Sequence, residues 1–226
     1  MCFSAQASYA VAAGLVLISS LSFSQTRTNF KLQLLALAPL FFAIQQVCEG
    51  IVWITLNNND TASSLHHIGA YGFLFFAYIF WPLSIPIGLG IIEPNNTRKF
   101  LLRVSKFFGS VIAFWFIFSV ILHGVQASIV GNHIRYTFST SEHLAKLATP
   151  DTLYTFFLLL YFIAAVIPLY ISSIRWLWLL GVAISISLIY TYFYYTIAFT
   201  SIWCFFAALS SIFIYIILRA QRSSLA

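Results

Sequence analysis

Residues 33–56 read QLLALAPLFFAIQQVCEGIVWITL, an apolar run that nevertheless contains Glu49. About 20 mainly apolar residues suffice to cross a bilayer as an α-helix. A carboxylate deep in the membrane costs roughly 2.5–3.5 kcal/mol on insertion scales, so it is found facing protein or water rather than lipid. The run therefore predicts a helical membrane protein whose other segments pack around Glu49.

The composition of the whole chain supports the same class of protein. Of its 226 residues, 61% are hydrophobic and only 7% are charged, whereas a soluble domain carries about 25% charged residues. The basic residues stand singly between apolar runs, so the net charge of +6 indicates membrane topology rather than nucleic-acid binding. The bilayer is the predicted partner. Three cysteines without CxxC spacing do not form a disulfide scaffold.

Apolar segments of sufficient length recur along the chain and predict an all-α bundle of seven transmembrane helices in a single domain, residues 1–226. The predicted spans lie near 5–23, 33–56, 66–92, 104–126, 153–174, 176–195 and 199–218. The first apolar stretch precedes its basic residues, the reverse of a secretory signal, so we expect it to be retained.

The distribution of basic residues predicts the orientation of the bundle. The first, third and fifth connections and the C-terminal tail hold nine of them: Arg27, Lys31, Arg98, Lys99, Arg103, Lys106, Arg175, Arg219 and Arg222. The opposite side holds only Arg135 and Lys146. Cytoplasmic loops carry the excess of Lys and Arg, which predicts an external N-terminus, a cytoplasmic C-terminus and a multi-pass protein of the inner membrane.

Two segments depart from a regular bundle. The third span contains Trp81, Pro82, Pro86, Gly88 and Gly90, so we expect its inner half to be kinked, as a packing feature or by partial unwinding. The external connection 127–152 is long for a loop without structure of its own. Its GNHIRYTFS section alternates polar and apolar residues, which predicts a short hairpin over the mouth of the bundle.

The reactive side chains fall in the predicted outer half of the molecule. Glu49 lies seven residues before the end of its span, about 10 Å below the surface. Cys2, His123, His133 and Cys204 lie at the same side of the bundle. Thiolate, imidazole and carboxylate groups together suit Zn²⁺ or another divalent metal. We therefore treat Glu49 as a candidate catalytic residue and the other four as candidate metal ligands.

Each of these residues also has a structural interpretation. Glu49 could be a general base or ligand, or a protonated group hydrogen-bonded to Gln45 or to a neighbouring helix. Cys2 and Cys204 could be co-ligands, or they could form a disulfide in an oxidising compartment. The sequence contains no HExxH, GxSxG or GxxxxGK[ST] motif. All four lysines lie in connections or at helix ends, which excludes a retinal Schiff base in the last span.

Five motifs together resemble a family of small bacterial membrane proteins of unknown function that begin Met-Cys-Phe-Ser-Ala. They are MCFSA (1–5), QQxxEGxVW (45–53), FFAxxFWPxxxP (75–86), HIRY (133–136) and SxWCFFAA (201–208). The resemblance covers most of the chain and implies about seven spans but no activity. It draws attention to the residues inside these motifs: Cys2, Glu49, His133, Tyr136, Trp203 and Cys204.

Three classes of function fit the sequence. The first is a membrane-embedded, metal-assisted hydrolase whose polar pocket opens to the outer face and takes a lipid or small amphiphile. The second is a proton- or cation-coupled binding or transport protein in which Glu49 is the coupling site. The third is an accessory membrane subunit without catalytic activity. Polar residues gather on one side only, which argues against a conduction path through the bundle.

Overall fold

The computed structural model of this protein describes residues 4–26, 29–138 and 150–223. In this part of the chain, six helices are long and apolar enough to cross a membrane: α1 (Ala5–Gln25), α2 (Phe30–Asn57), α3 (Ser64–Ile92), α4 (Asn96–His123), α6 (Leu177–Tyr194) and α7 (Thr196–Gln221). A shorter apolar helix, Thr155–Ile171, belongs to α5. The all-α helical architecture is confirmed, whereas the orientation across the membrane stays a prediction.

Four helices begin at a side-chain cap of the kind that the sequence encodes locally. The Ser4 hydroxyl accepts the N–H of Ala7 at the start of α1, and Ser63 accepts that of His66 at the start of α3. Asn29 and Asn95 cap α2 and α4 in the same way. Such residues bond N–H groups that have no partner within the helix.

Several helices consist of consecutive segments. α2 comprises Phe30–Ala36 and Ala38–Asn57. α3 comprises Ser64–Phe75, a π-helical turn over Phe76–Phe80, and Trp81–Ile92. α5 comprises Pro150–Tyr161, a second π-helical turn over Phe162–Val166, and Ile167–Ile171. α7 continues past its membrane-spanning part to Ser223 and comprises a 3₁₀ turn over Thr196–Ala198, then Phe199–Ser210 and Ile212–Ser223.

The fourth helix differs most from its predicted bounds. It begins at Asn96 rather than near 104, because its first turns carry Arg98, Lys99 and Arg103. Long basic side chains keep their charges in water while their stems cover apolar surface, so a helix continues beyond its apolar run. It ends at His123, where Gly124 takes a positive φ of 65°.

The predicted irregularity of the third span lies closer to its middle than we expected. The inner half, Trp81–Ile92, is a continuous α-helix that contains Pro86, and the distortion is the π turn just before it. The Trp81 N–H bonds to the Phe76 carbonyl, five residues back. Pro82 follows and has no N–H to donate. The helix is therefore widened before the prolines rather than unwound after them.

The predicted hairpin is confirmed. Strand β1 (Val125–Val130) pairs antiparallel with β2 (His133–Phe138), and Val130 is opposite His133 across a two-residue turn. Gly131 has φ of 62° in that turn, a conformation that glycine adopts without steric cost. Ile134 is fully buried against Val52, Trp53 and Ala70. The hairpin therefore packs on the bundle, and we call this side of the molecule the hairpin end.

Glycines allow close helix packing at two points. A Cβ atom on Gly50 would lie 2.7 Å from the Tyr9 ring, which brings α1 against α2. A Cβ on Gly109 would lie 2.1 Å from the carbonyl oxygen of Pro82, so α4 approaches the α3 backbone directly. In an α-helix that carbonyl would accept the N–H of residue 86, but residue 86 is a proline.

A carboxylate joins two connections at the end opposite the hairpin. Glu93, which caps α3 and is 2% exposed, accepts the Ser173 N–H at 2.7 Å and the Ser173 hydroxyl at 2.6 Å. The Arg98 guanidinium donates to the same hydroxyl at 2.7 Å. Burial alone would raise the pKa of Glu93, but these hydrogen bonds, that of the Asn95 N–H and the nearby Arg98 charge lower it overall.

Candidate functional site

Glu49 lies inside the bundle, in agreement with the inward placement expected from its cost in lipid. Its side chain is fully buried. One carboxylate oxygen accepts the Ser201 hydroxyl from α7, and the other accepts the Gln46 side-chain amide at 3.3 Å. Because donors from its own helix and from α7 share this carboxylate, Glu49 fixes the position of α7 against α2.

A second glutamine extends this polar cluster toward the middle of the bundle. Gln45 accepts the indole N–H of Trp81 at 2.8 Å and donates to the Phe73 carbonyl at 3.4 Å. Cys204 is close enough to interact with Gln45 and with the Glu49 charge, and it is a free, buried thiol. The polar groups of QQVCEG and SxWC therefore meet in one place, although the two motifs are more than 140 residues apart.

The predicted metal ligands are only partly brought together. The structure places Cys204 beside Glu49, whereas the His133 ring lies edge-on to Tyr195 at 5.1 Å between ring centroids. Burial lowers the pKa of His133, which favours its neutral form. His123 is half-buried at the end of α4. Among the described residues, no group of three or more His, Cys, Asp and Glu could hold a metal ion.

Cys2 lies outside the described residues. Its approach to Cys204, as a disulfide partner or as a co-ligand, therefore stays a prediction.

The two π-helical turns are joined by one hydrogen bond. The Tyr161 hydroxyl, next to the π turn of α5, donates to the carbonyl of Ala77, inside the π turn of α3, at 2.7 Å. The Trp81 N–H is bonded to Phe76 instead, and Pro82 has no N–H. The π register thus leaves the Ala77 carbonyl without a donor from its own helix, and Tyr161 supplies one.

A cavity of about 280 Å³ lies beside this contact, between α3, α4, α5 and the start of α7. Six aromatic side chains line it: Tyr78, Trp115, Phe157, Tyr161, Phe199 and Trp203. The Tyr78 and Thr200 hydroxyls, 2.8 Å apart, and the Cys204 thiol supply polar atoms. Several of the aromatic rings are half-exposed, so the cavity is accessible from the surface of the bundle.

The arrangement suits binding more directly than it suits hydrolysis. Ligand pockets are typically apolar and aromatic, with a few placed polar groups that fix orientation. Glu49 does not line the cavity. Its carboxylate accepts the Ser201 hydroxyl. In the α7 sequence, Ser201 follows the cavity residues Phe199 and Thr200 and precedes the cavity residue Cys204. Glu49 is therefore placed to position the α7 wall of the cavity.

Several cavity residues were not identified from the sequence. Tyr78, Trp115, Tyr161 and Thr200 stand among many similar aromatic and hydroxyl residues. One pattern marks the two π turns: each ends two residues before a proline, Pro82 in α3 and Pro168 in α5. The pattern alone does not predict a π turn, because Pro39 and Pro86 also lie in helices and no π turn ends two residues before either of them.

The helices, the buried polar cluster and the aromatic cavity together define a multi-pass helical membrane protein with a surface-accessible pocket in the half of the bundle nearer the hairpin. The chain belongs to a family of unknown function, DUF6629, whose model matches residues 1–226. The resemblance found in the sequence is thereby confirmed. No curated protein and no solved structure matched the chain.

Proposed function

We propose that this membrane protein binds a small amphiphile in the aromatic cavity. The observation that carries the proposal is the combination of six aromatic rings with a hydroxyl pair and a thiol around about 280 Å³. An apolar cavity of roughly 150 Å³ holds one benzene ring in another protein. By proportion, this cavity accommodates a body of about two fused rings.

The polar groups indicate what the ligand must carry. The Tyr78 and Thr200 hydroxyls share one hydrogen bond, and when Tyr78 is the donor the Thr200 hydroxyl can donate to a ligand. A ligand oxygen near this pair can accept a hydrogen bond while its ring body stacks against Trp115 or Trp203. Aromatic contacts of this kind favour offset or edge-to-face arrangements. We infer a ligand with a fused-ring or similarly compact apolar body and one acceptor group.

No observation in the described ranges favours metal-assisted hydrolysis over binding, since no metal-holding group occurs there. The ligand set that includes Cys2 remains a separate prediction. The placement in the membrane is also proposed: in the described ranges most of the basic residues lie at the end opposite the hairpin, and Arg135 alone lies in the hairpin, which supports a hairpin end facing outward from the inner membrane. A ligand would then enter from the outer leaflet or the external medium.

Binding of 2-acetylnaphthalene to the purified protein tests the proposal, because this probe has two fused rings and one carbonyl acceptor. The tryptophan fluorescence of the protein, to which Trp115 and Trp203 in the cavity lining contribute, should be quenched with saturation at one equivalent of probe. Ile112→Phe fills the cavity from a buried position and should weaken binding at least tenfold. Ile117→Phe is the matched control, since Ile117 is exposed on the same helix. Equal affinities for the two variants would contradict binding in this cavity.

A second pair of variants tests the hydroxyl contact. Thr200→Val keeps the side-chain shape and removes one hydroxyl, so it should weaken binding of 2-acetylnaphthalene about fivefold, since one hydrogen bond contributes about 1 kcal/mol. Binding of naphthalene, which has no acceptor, should change little. Thr196→Val is the control, because the Thr196 hydroxyl bonds to the Tyr192 carbonyl at 2.8 Å and faces the surface.

A further inference from the structure

A second, larger space runs from the middle of the bundle toward the end opposite the hairpin. This apolar groove measures about 530 Å³ and is lined by residues of α2 (within 34–42), α3 (within 75–92), α5, α6 and α7. Ser84 and Ser211 are its only lining residues with hydroxyl groups, and the Ser211 hydroxyl is bonded to the Ala208 carbonyl. The indole N–H of Trp81 is bonded to Gln45. The groove therefore offers almost nothing to a polar ligand.

The shape of the groove fits a hydrocarbon chain. Its α3 lining extends from Phe75 to Ile92, which corresponds to about 25 Å at 1.5 Å per residue. One leaflet accounts for half of a hydrocarbon core that is about 30 Å thick. Phe75, Ile87 and Ile91 along its edge are exposed. The groove is thus open at the side and long enough for an acyl chain that crosses one leaflet.

Basic side chains lie where the groove reaches the end opposite the hairpin. Leu35, Ile92 and Ile174 pack in one cluster there. Lys31 is exposed one helical turn before Leu35, and Arg175 is exposed directly after Ile174. Basic groups beside an apolar crevice between membrane helices recognise anionic lipid headgroups. The basic side chains and the apolar groove together suit a ligand that has a hydrocarbon chain and an anionic headgroup.

We propose that the apolar groove binds one phospholipid with an anionic headgroup. Its acyl chain lies along α3 between α2 and α7, and its phosphate lies near Lys31 and Arg175. This site is separate from the aromatic cavity, and it does not depend on the proposed function. If the aromatic cavity bound no amphiphile, the lipid proposal would be unaffected. If the groove bound no lipid, the proposed function would be unaffected.

The glycines of α3 provide a matched pair for the test. Gly88 lines the groove and Gly90 does not, yet a Cβ added at either position meets no atom within 4 Å. Gly88→Phe should fill the groove without a clash, whereas Gly90→Phe adds the same side chain elsewhere on the helix. Ser84→Phe, which fills the groove from another position, replaces Gly88→Phe if that variant does not elute as a single folded species.

Native mass spectrometry of the purified protein, after addition of equal amounts of phosphatidylglycerol and phosphatidylcholine, measures the occupancy. The wild type should retain one phosphatidylglycerol. Gly88→Phe should reduce that occupancy at least tenfold, and Gly90→Phe should leave it unchanged. Lys31→Gln should lower the preference for phosphatidylglycerol over phosphatidylcholine several-fold.

Equal retention by the two glycine variants would overturn the proposal, because the lipid would then be bound elsewhere. A dimer in the wild type that Gly88→Phe abolishes would also overturn it, since a second copy of the chain would occupy the groove. Retention without any preference for the anionic lipid would contradict the role of Lys31 and Arg175.

Discussion

The hydroxyl of Tyr161 donates a hydrogen bond to the carbonyl of Ala77 at 2.7 Å and thereby joins the π turn of α3 to that of α5. A carbonyl freed from helical bonding is costly inside a bundle, because a buried polar group without a partner loses about 1–3 kcal/mol. Tyr161 removes that cost and lines the cavity with its ring. Helix geometry and cavity shape are therefore linked through this one contact.

Removal of the Tyr161 hydroxyl tests this link. Tyr161→Phe keeps the ring and leaves the Ala77 carbonyl without its donor, so the free energy of unfolding should fall by about 1–3 kcal/mol. Thermal unfolding in detergent measures the change. Tyr170→Phe is the control, since the Tyr170 hydroxyl bonds to Ser185 at the exposed surface. Equal destabilisation by the two variants would show that the π-turn hydrogen bond contributes no more to the free energy of unfolding than the surface hydrogen bond of Tyr170.

The contact between Glu49 and Ser201 should position the α7 wall of the cavity. Glu49→Leu removes the acceptor and should weaken 2-acetylnaphthalene binding at least fivefold. Glu49→Gln keeps an oxygen that accepts the Ser201 hydroxyl and should restore affinity to within twofold of wild type. If both variants bind like wild type, Glu49 does not position α7. If Glu49→Gln folds but loses a catalytic activity, the predicted role as general base gains support.

A double-mutant cycle with Ser201→Ala and Glu49→Leu, each of which removes the hydrogen bond, measures the same contact by stability. Residues that share one hydrogen-bond network typically couple by 0.5–3 kcal/mol, so we expect about 1 kcal/mol here. Additive changes in the free energy of unfolding would mean that the two side chains do not interact in the folded protein.

The Glu93 network predicts a pH dependence of stability. Because the folded protein lowers the pKa of Glu93, the unfolded chain takes up this proton first as the pH falls. The stabilising contribution should be fully present above about pH 4.3, the ordinary value for Glu, and should be lost as the pH falls through the lower pKa of the folded state. Melting temperatures measured from pH 7 to pH 3 test this.

Ser173→Ala removes a donor to Glu93 and should reduce the acid-dependent loss of melting temperature. Ser172→Ala is the matched control, since the Ser172 hydroxyl bonds to the Ile174 N–H instead. Glu93→Gln should be less stable than wild type at pH 7, and the difference should shrink toward pH 3. A constant difference over the whole range would contradict the lowered pKa.

The orientation of the bundle has its own test. A reporter fused after Arg222 should be active in the cytoplasm, and one inserted within residues 137–145 should be active outside. The reason is the division of basic residues, nine against two. Opposite results at both positions would reverse the orientation and place the cavity on the cytoplasmic side.

Hydropathy and turn chemistry sufficed to predict the helical class, the approximate spans and the hairpin. The helix bounds were less predictable where charged residues extend a helix, as Arg98 and Arg103 do in α4. The hairpin could be recognised because Gly131 and the alternating residues after it encode a turn and a strand locally. These features depend on short stretches of sequence.

Within the candidate site, the sequence pointed to Glu49, whose cost in lipid requires an inward position, and to Trp203 and Cys204, which lie in one of the family-like motifs and line the cavity. Ser201, the partner of Glu49, is 152 residues away, and no spacing within one helix encodes such a contact. The π turns escaped prediction because hydrophobic periodicity scarcely changes over five residues. Tyr161 of α5 donates to a carbonyl that the π turn of α3 leaves without a donor. This relationship depends on how the two helices pack, so the sequence of either helix alone does not reveal it.

The position of a bound brominated probe tests the central proposal most directly. Crystals grown with 6-bromo-2-acetylnaphthalene should show one anomalous bromine peak inside the aromatic cavity, in contact with Trp115, Phe157 or Trp203. The acetyl oxygen should lie within hydrogen-bonding distance of the Tyr78 and Thr200 pair. A bromine peak in the apolar groove, or no peak in the cavity at saturating probe, would contradict the account.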